Sequence, residues 1–203
     1  MLGLLALAVV DVAVQLVRGT PEVFKRARLV ADRARAKHRP RLAMLVSAEC
    51  GKSECACAAG AGQVGLDLDL GSDVLALLEP ELRPCADALG GIRAEALSRL
   101  ARPEAVAEAR AVLGRHPTDP HAHYALALAS YRNGDALQAL ESAKSAIDAG
   151  RGAEAQLLAG LISLALGRLD AAENAFQTAA ELAPDEPSAF YNLALIQHQR
   201  RHF

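Results

Sequence analysis

Three cysteines fall within eight residues, Cys50, Cys55 and Cys57, in the spacing C-x4-C-x-C, and Cys85 follows twenty-eight residues after Cys57. Thiolates are good ligands for soft metals, and four of them could complete a zinc or iron–sulfur site. The spacing argues against both. An iron–sulfur loop of the C-x4-C-x2-C kind sets each sulfur on its iron, and this chain is one residue short between Cys55 and Cys57. Structural zinc sites leave about two to four residues between paired cysteines, a wider gap than Cys55-Ala56-Cys57 offers. Disulfides would need an oxidising compartment. Free thiols are therefore the expectation, with Cys50, Cys55, Cys57 and Cys85 kept as candidate metal ligands and no cofactor assigned.

Other chemical patterns are weaker. Residues 46–53, Val-Ser-Ala-Glu-Cys-Gly-Lys-Ser, end like a phosphate-binding loop, but Val46 stands where the first glycine belongs and no helical pattern follows Ser53. Asp67, Asp69 and Asp73 resemble a calcium loop in outline only, because Gly71 occupies a ligand position. His121 and His123 are two apart, so on a helix they face different ways. No Ser/His/Asp or Cys/His set can be assembled, and the chain is not expected to be an enzyme.

The elements that would position these residues divide the chain in three. Residues 1–41 hold nine Lys/Arg against three acids, whereas 42–203 hold thirteen against twenty-one, so the two parts suit different surroundings. Residues 1–17 are an apolar run broken by Asp11 and Gln15, and a basic stretch, 18–41, follows. Two readings fit. One is a membrane anchor whose basic flank stays on the cytoplasmic side and lies on anionic headgroups. The other is an amphipathic helix packed on protein, since Asp11, Gln15 and Arg18 share a helical face. Seventeen residues is the lower limit for a span, and a cleaved signal peptide fits worse because no positive residue precedes the run. The basic helix starting at Thr20-Pro21 lacks the polar and aromatic base-readers of a nucleic-acid binder, so nucleic acid is not an expected partner. Residues 42–84 form a Cys-containing linker or small insert. Within it, 42–46 and 64–70 carry short strand patterns that would make an irregular or β-hairpin segment.

From residue 85 onward the chain repeats itself. The segment His123-Tyr-Ala-Leu-Ala aligns with Gln156-Leu-Leu-Ala-Gly and with Phe190-Tyr-Asn-Leu-Ala, at steps of 33 to 34 residues. Gly134 and Gly167 recur at one offset, Ala139 and Ala172 at the next, then Ala146 and Ala179, with Pro117 and Pro184 closing units. Such a step means stacked helical hairpins. Small residues let paired helices approach to roughly 8–10 Å, and the glycines supply the positive backbone angle that ends a first helix. Leu126, Leu128, Leu137 and Leu140, with Leu158, Leu161, Leu169 and Phe176, give apolar spacing for the stacked interior. With no Trp and 3% aromatics, that interior must be filled by Ala, Leu and Val.

The pattern resembles the tetratricopeptide repeat (TPR). The fold class that follows is all-α, a helical-hairpin solenoid over 85–203. Its units are about 86–119 (degenerate, with Ala105, Ala109 and Val112 at small-residue positions), 120–152, 153–186 and a partial 187–203. The resemblance implies a curved inner surface lined by the first helix of each pair. Carried onto this chain, the lining is His121, Tyr124, Leu128, Tyr131 and Arg132, then Glu154, Leu157, Leu161, Leu164 and Ala165, then Ser188, Tyr191, Asn192, Leu195 and His198. The Lys/Asn/Arg set with which some members grip a carboxylate is absent. A mostly aliphatic groove suits an amphipathic helix or an extended apolar peptide, with Asn192 as the polar candidate for a ligand's backbone. The resulting expectation is a cytoplasmic scaffold that binds another protein through its concave face. Residues 1–41 offer a membrane contact, and residues 1–17 the attachment to the cytoplasmic face. A metal- or redox-responsive protein using the four cysteines, or a regulatory TPR fragment of a larger enzyme, are the alternatives.

Overall fold

The computed structural model describes residues 85–201, together with Cys55, Leu66, Ser72 and Leu75. Among the described residues there are seven α-helices and no strand: α1 (Ala86–Arg99), α2 (Ala105–Arg115), α3 (Pro120–Arg132), α4 (Ala136–Asp148), α5 (Gly152–Ala165), α6 (Leu169–Leu182) and α7 (Pro187–Arg201). The apolar run 1–17, the basic stretch 18–41, the strand pattern 42–46, the phosphate-loop-like 46–53, the aspartates of 67–73, and Cys50 and Cys57 lie outside the described residues. The chain divides into two compact units, Met1–Arg102 and Pro103–Phe203.

In the first unit, α1 is buried on most of its circumference, with Leu89, Ile92, Ala94, Ala96 and Leu97 all inside. Glu95 is fully buried too, and its Oε1 accepts from both Nε and Nη2 of Arg99, at 2.9 and 2.7 Å. Two charge-assisted hydrogen bonds are what let a carboxylate stay in such a place. Two expectations need correction here. Cys55 and Cys85 are not free thiols; they form a disulfide, their Cα atoms 5.1 Å apart across thirty residues of sequence. Cys spacing alone could not reveal this, because the bond depends on the fold bringing residue 55 beside the start of α1. While bonded, neither sulfur can serve as a thiolate ligand. Leu66, expected on a strand, is helical and fully buried. So short an alternation also fits a helix, Leu66 and Leu70 being four apart.

The second unit is built of hairpins. The α3/α4 and α5/α6 pairs pack most extensively, and α4 against α5, α2 against α3 and α6 against α7 join them in series. Asp119 caps α3 by accepting from the Ala122 amide at 2.8 Å, with Pro120 opening the helix, and Asp135 caps α4 through the Gln138 amide. The hairpin turns share one geometry. Gly134 and Gly167 have φ of +82° and +71°, and the amide that follows each closes on a carbonyl five residues back, Asp135 to Ser130 and Arg168 to Ser163. Thirty-three residues before Gly134 stands Ala101, also left-handed at φ +54°, with Arg102 closing on Leu97 in the same way. The turn survives there without its glycine, at a conformational cost of about 1–2 kcal/mol.

The interior is alanine-rich, as composition requires. Ala105, Ala109 and Val112 of α2, and Ala139, Ala143 and Ala146 of α4, are all fully buried or nearly so. Leu126, Leu158 and Phe176 join them, but Leu137 does not, being 66% exposed. Its position on α4 is apolar in spacing yet faces away from the hairpin partner. α5 and α6 approach closely at Gly160. A Cβ placed on Gly160 would lie 2.5 Å from Cε1 of the buried Phe176 ring, so only bare backbone fits beneath it.

Gly160→Ala is expected to lower stability by about 1–3 kcal/mol, since neither the α5 backbone nor the enclosed ring has room to yield; an unchanged denaturant midpoint would show that the hairpin can open at no cost. Mass spectrometry of protein alkylated before reduction should find Cys55 and Cys85 unmodified and joined. Reduction should then loosen the first unit by about 3–4 kcal/mol for a loop of this length, whereas alkylation of both in the native protein would contradict the pairing.

Candidate functional site

All fifteen residues assigned to the inner surface lie on first helices, five each on α3, α5 and α7, and none is fully buried. Eleven of them fall into three groups. Tyr124, Leu128 and Tyr131 lean on an interior cluster of Ala127, Ala139, Ala143, Leu158, Ala159 and Ile162. Leu157, Leu161 and Leu164 lean on Phe176 and Ile196. Each of these six keeps part of its surface in solvent while its other side is held by the stack. The exposed members are Arg132, Ala165, Tyr191, Leu195 and His198.

Leu157, Leu161, Ser188, Tyr191 and Asn192 come together in one open cleft of about 430 Å³ between α5 and α7, joined by Pro187. Tyr191 is 71% exposed and Leu195, one turn on, is 37% exposed, a large apolar display for one helix. Asn192 is less free than its sequence position suggests, because its Nδ2 donates to the Ser188 carbonyl at 2.7 Å. Its Oδ1 and the second N–H of the amide are left to meet a ligand, as acceptor and donor. The Ser188 amide and hydroxyl both donate to Glu186 Oε1, which fixes the start of α7. At the other end of α7, Arg200 reaches back to Asp170 and Glu173 of α6.

A second constellation centres on Arg151, in the connection between α4 and α5. Its Nη1 donates to His121 Nδ1 at 2.9 Å, its Nη2 to Glu154 Oε2 at 2.5 Å, and its guanidinium carbon lies 4.9 Å from the Tyr124 ring centroid. A guanidinium has no acceptor, so His121 must accept and carry its proton on Nε2. One cation thus ties α3 to α5, with only 9% of its side chain exposed. The preceding residue, Gly150, has φ +95°, which turns the chain so that Arg151 points inward. Sequence reasoning missed Arg151 because it sits in a connection rather than on a first helix. The Gly150-Arg151 pair, repeating the glycine-then-turn pattern, was the available signal. His123 points elsewhere, to the Pro117 carbonyl, as the two-residue spacing requires. Among the described residues no cluster of His, Cys, Asp or Glu could hold a metal ion, and no helix is long and apolar enough to cross a membrane.

Helical hairpins in series, turned by left-handed residues at a fixed step, define a helical-repeat solenoid. Family models for the tetratricopeptide repeat match residues 94–154 and, as TPR repeat, residues 160–200. The chain belongs to the tetratricopeptide-repeat family, whose fold is that of a protein–protein interaction scaffold. Among solved structures it is similar to TTC0263, a thermophilic TPR protein of Thermus thermophilus, at 17% identity and a TM-score of 0.65, covering 86% of this chain and 98% of that one. It is also similar to MamA, residues 41 to the end, of Desulfovibrio magneticus RS-1, at 16% identity and a TM-score of 0.51, covering 82% of this chain and 98% of that one. At such identity the likeness is one of fold. No curated protein sequence matches the chain.

Replacing Arg151 by Met keeps the apolar stem of the side chain and removes the guanidinium with its charge. It should cost about 1–2 kcal/mol through the lost hydrogen bonds and ring contact. A denaturation midpoint equal to that of the parent would mean that α3 and α5 are joined by other contacts alone.

Proposed function

We propose that the chain is a non-enzymatic adaptor that holds an apolar peptide, or the apolar face of a helix, from a partner protein on the concave face of α3, α5 and α7. The observation that carries this is the α5–α7 cleft. Its walls, Leu157, Leu161 and Pro187, are apolar, and its rim exposes Tyr191 beside Leu195. Apolar side chains supported from behind by packed residues give a rigid surface, so a ligand need not spend affinity on ordering it. The hydroxyl of Tyr191, that of Ser188 and Oδ1 of Asn192 supply a few polar points for register, as recognition grooves require.

In this reading the repeat array spans 85–203, residues 42–84 are a cysteine-bearing insert, and 1–41 tether the array to a membrane or to a second protein. For the compartment, the Cys55–Cys85 bond supports an oxidising environment over the cytoplasm expected from the charge bias. The redox alternative receives no support beyond that bond, and an enzyme fragment receives none.

Tyr191 and Leu195 are exposed enough to be changed without disturbing the stack. The full chain, panned against a random peptide library, should select apolar sequences, and Tyr191→Arg with Leu195→Arg should weaken their binding about tenfold or more while the circular dichroism and melting curve hold. Undiminished binding by the folded double variant would rule out this face.

A further inference from the structure

The outer side of the second unit carries a second groove. α4 and α6 are the second helices of successive hairpins and run in the same direction, leaving a groove of about 370 Å³ between them with α5 as its floor. The floor residues Gln156, Ala159 and Ser163 centre more than a quarter-turn round α5 from the centre of Leu157, Leu161 and Leu164, so this groove and the inner cleft are separate surfaces. On α4 the groove face is Leu140, Lys144 and Ile147, and Leu137, three residues before Leu140, extends the same stripe. On α6 it is Ala171, Asn174, Ala175 and Thr178, and Leu182 extends the stripe of Ala171, Ala175 and Thr178. Leu137 and Leu182, at opposite ends of the two stripes, are the two most exposed leucines of the unit, at 66% and 57%.

Charge follows the same arrangement. Arg168 stands at the start of α6, while Glu181 and Asp185 stand at its end, all exposed. No acidic residue lines the groove, and Lys144 adds a second cation to it. Glu141 and Asp148 share α4 with Lys144 but are not part of the lining, and Asp170 and Glu173 are turned to Arg200. The side chains of Lys144, Arg168, Glu181 and Asp185 take part in no ion pair or hydrogen bond among the described residues.

We propose that a second copy of this chain covers this face, with the two α6 helices antiparallel about a two-fold axis near Ala175. Arg168 and Leu182 lie seven residues either side of Ala175, so the operation sets the C-terminal end of one α6 over the N-terminal end of the other. Leu182 of each copy then meets Leu137 and Leu140 of its partner, and Glu181 with Asp185 meets Arg168. Ala171 and Ala175 permit close approach at the centre. A self-complementary patch of this kind is what a two-fold dimer requires: an α6 stripe of mostly small and apolar residues, positive at one end and negative at the other.

Sedimentation equilibrium of the full chain from low micromolar to about 200 µM should show a reversible monomer–dimer equilibrium that weakens with salt. Arg168→Glu alone, and Glu181→Arg with Asp185→Arg, should each weaken dimerisation about tenfold or more through like-charge contacts. Mixing the two variants should restore a dimer, because each now carries the charge its partner lacks. A chain that stays monomeric throughout, variants that dimerise like the parent, or a mixture that stays as weak as its parts would overturn the proposal.

Discussion

The Phe176 ring lying against the bare backbone of Gly160 is the contact on which the rest of the second unit depends. It sets how near α5 and α6 approach, and the same ring continues outward to Ile196 of α7, while Leu157, Leu161 and Leu164 close around it. One aromatic side chain therefore fixes three helices. An alanine-rich interior makes such a contact necessary. Buried methyl groups give little shape to lock one helix on the next, so the few large side chains determine the spacing. In the preceding hairpin, where no aromatic fills that place, Leu158 and Ile162 of the following repeat reach back against Ala139 and Ala143.

This arrangement couples interior to surface. The leucines of the proposed inner groove are not loose side chains on a helix. They are the outer edges of the clusters that hold the hairpins together. Arg151 does the same with polar groups, since one buried cation orients His121, Tyr124 and Glu154 at once. α5 is central to both surfaces. One of its faces forms the wall of the α5–α7 cleft, and another forms the floor of the outer groove between α4 and α6.

Much of this could be read from residue types. Gly134 and Gly167 mark turns because φ near +80° excludes most other residues, and Asp119 and Asp135 mark helix starts because their carboxylates replace lost amide partners. Ala101 shows where that reasoning stops. The fold imposes the left-handed turn on an alanine, so the first repeat loses its sequence mark while keeping its geometry. Leu137 shows a second limit, since helical spacing says which residues share a face but not which face is covered. Cys55–Cys85 and Arg151 show a third. Both join residues about thirty apart in sequence through contacts that only the packed chain creates. Of the candidate site, the helices and the residues along them were legible. The division of those residues into a cleft, a packed edge and a polar node was not.

The central claim is that the exposed first-helix face of α5 and α7 is the binding surface. Methyl-resolved NMR of leucine-labelled protein, titrated with an apolar peptide selected for binding, tests it most directly. The account predicts that the methyl signals of Leu157, Leu161 and Leu195 shift together and saturate with the peptide, while those of Leu137 and Leu182 stay in place. Shifts confined to Leu137 and Leu182, with the three inner leucines unmoved at saturation, would contradict it.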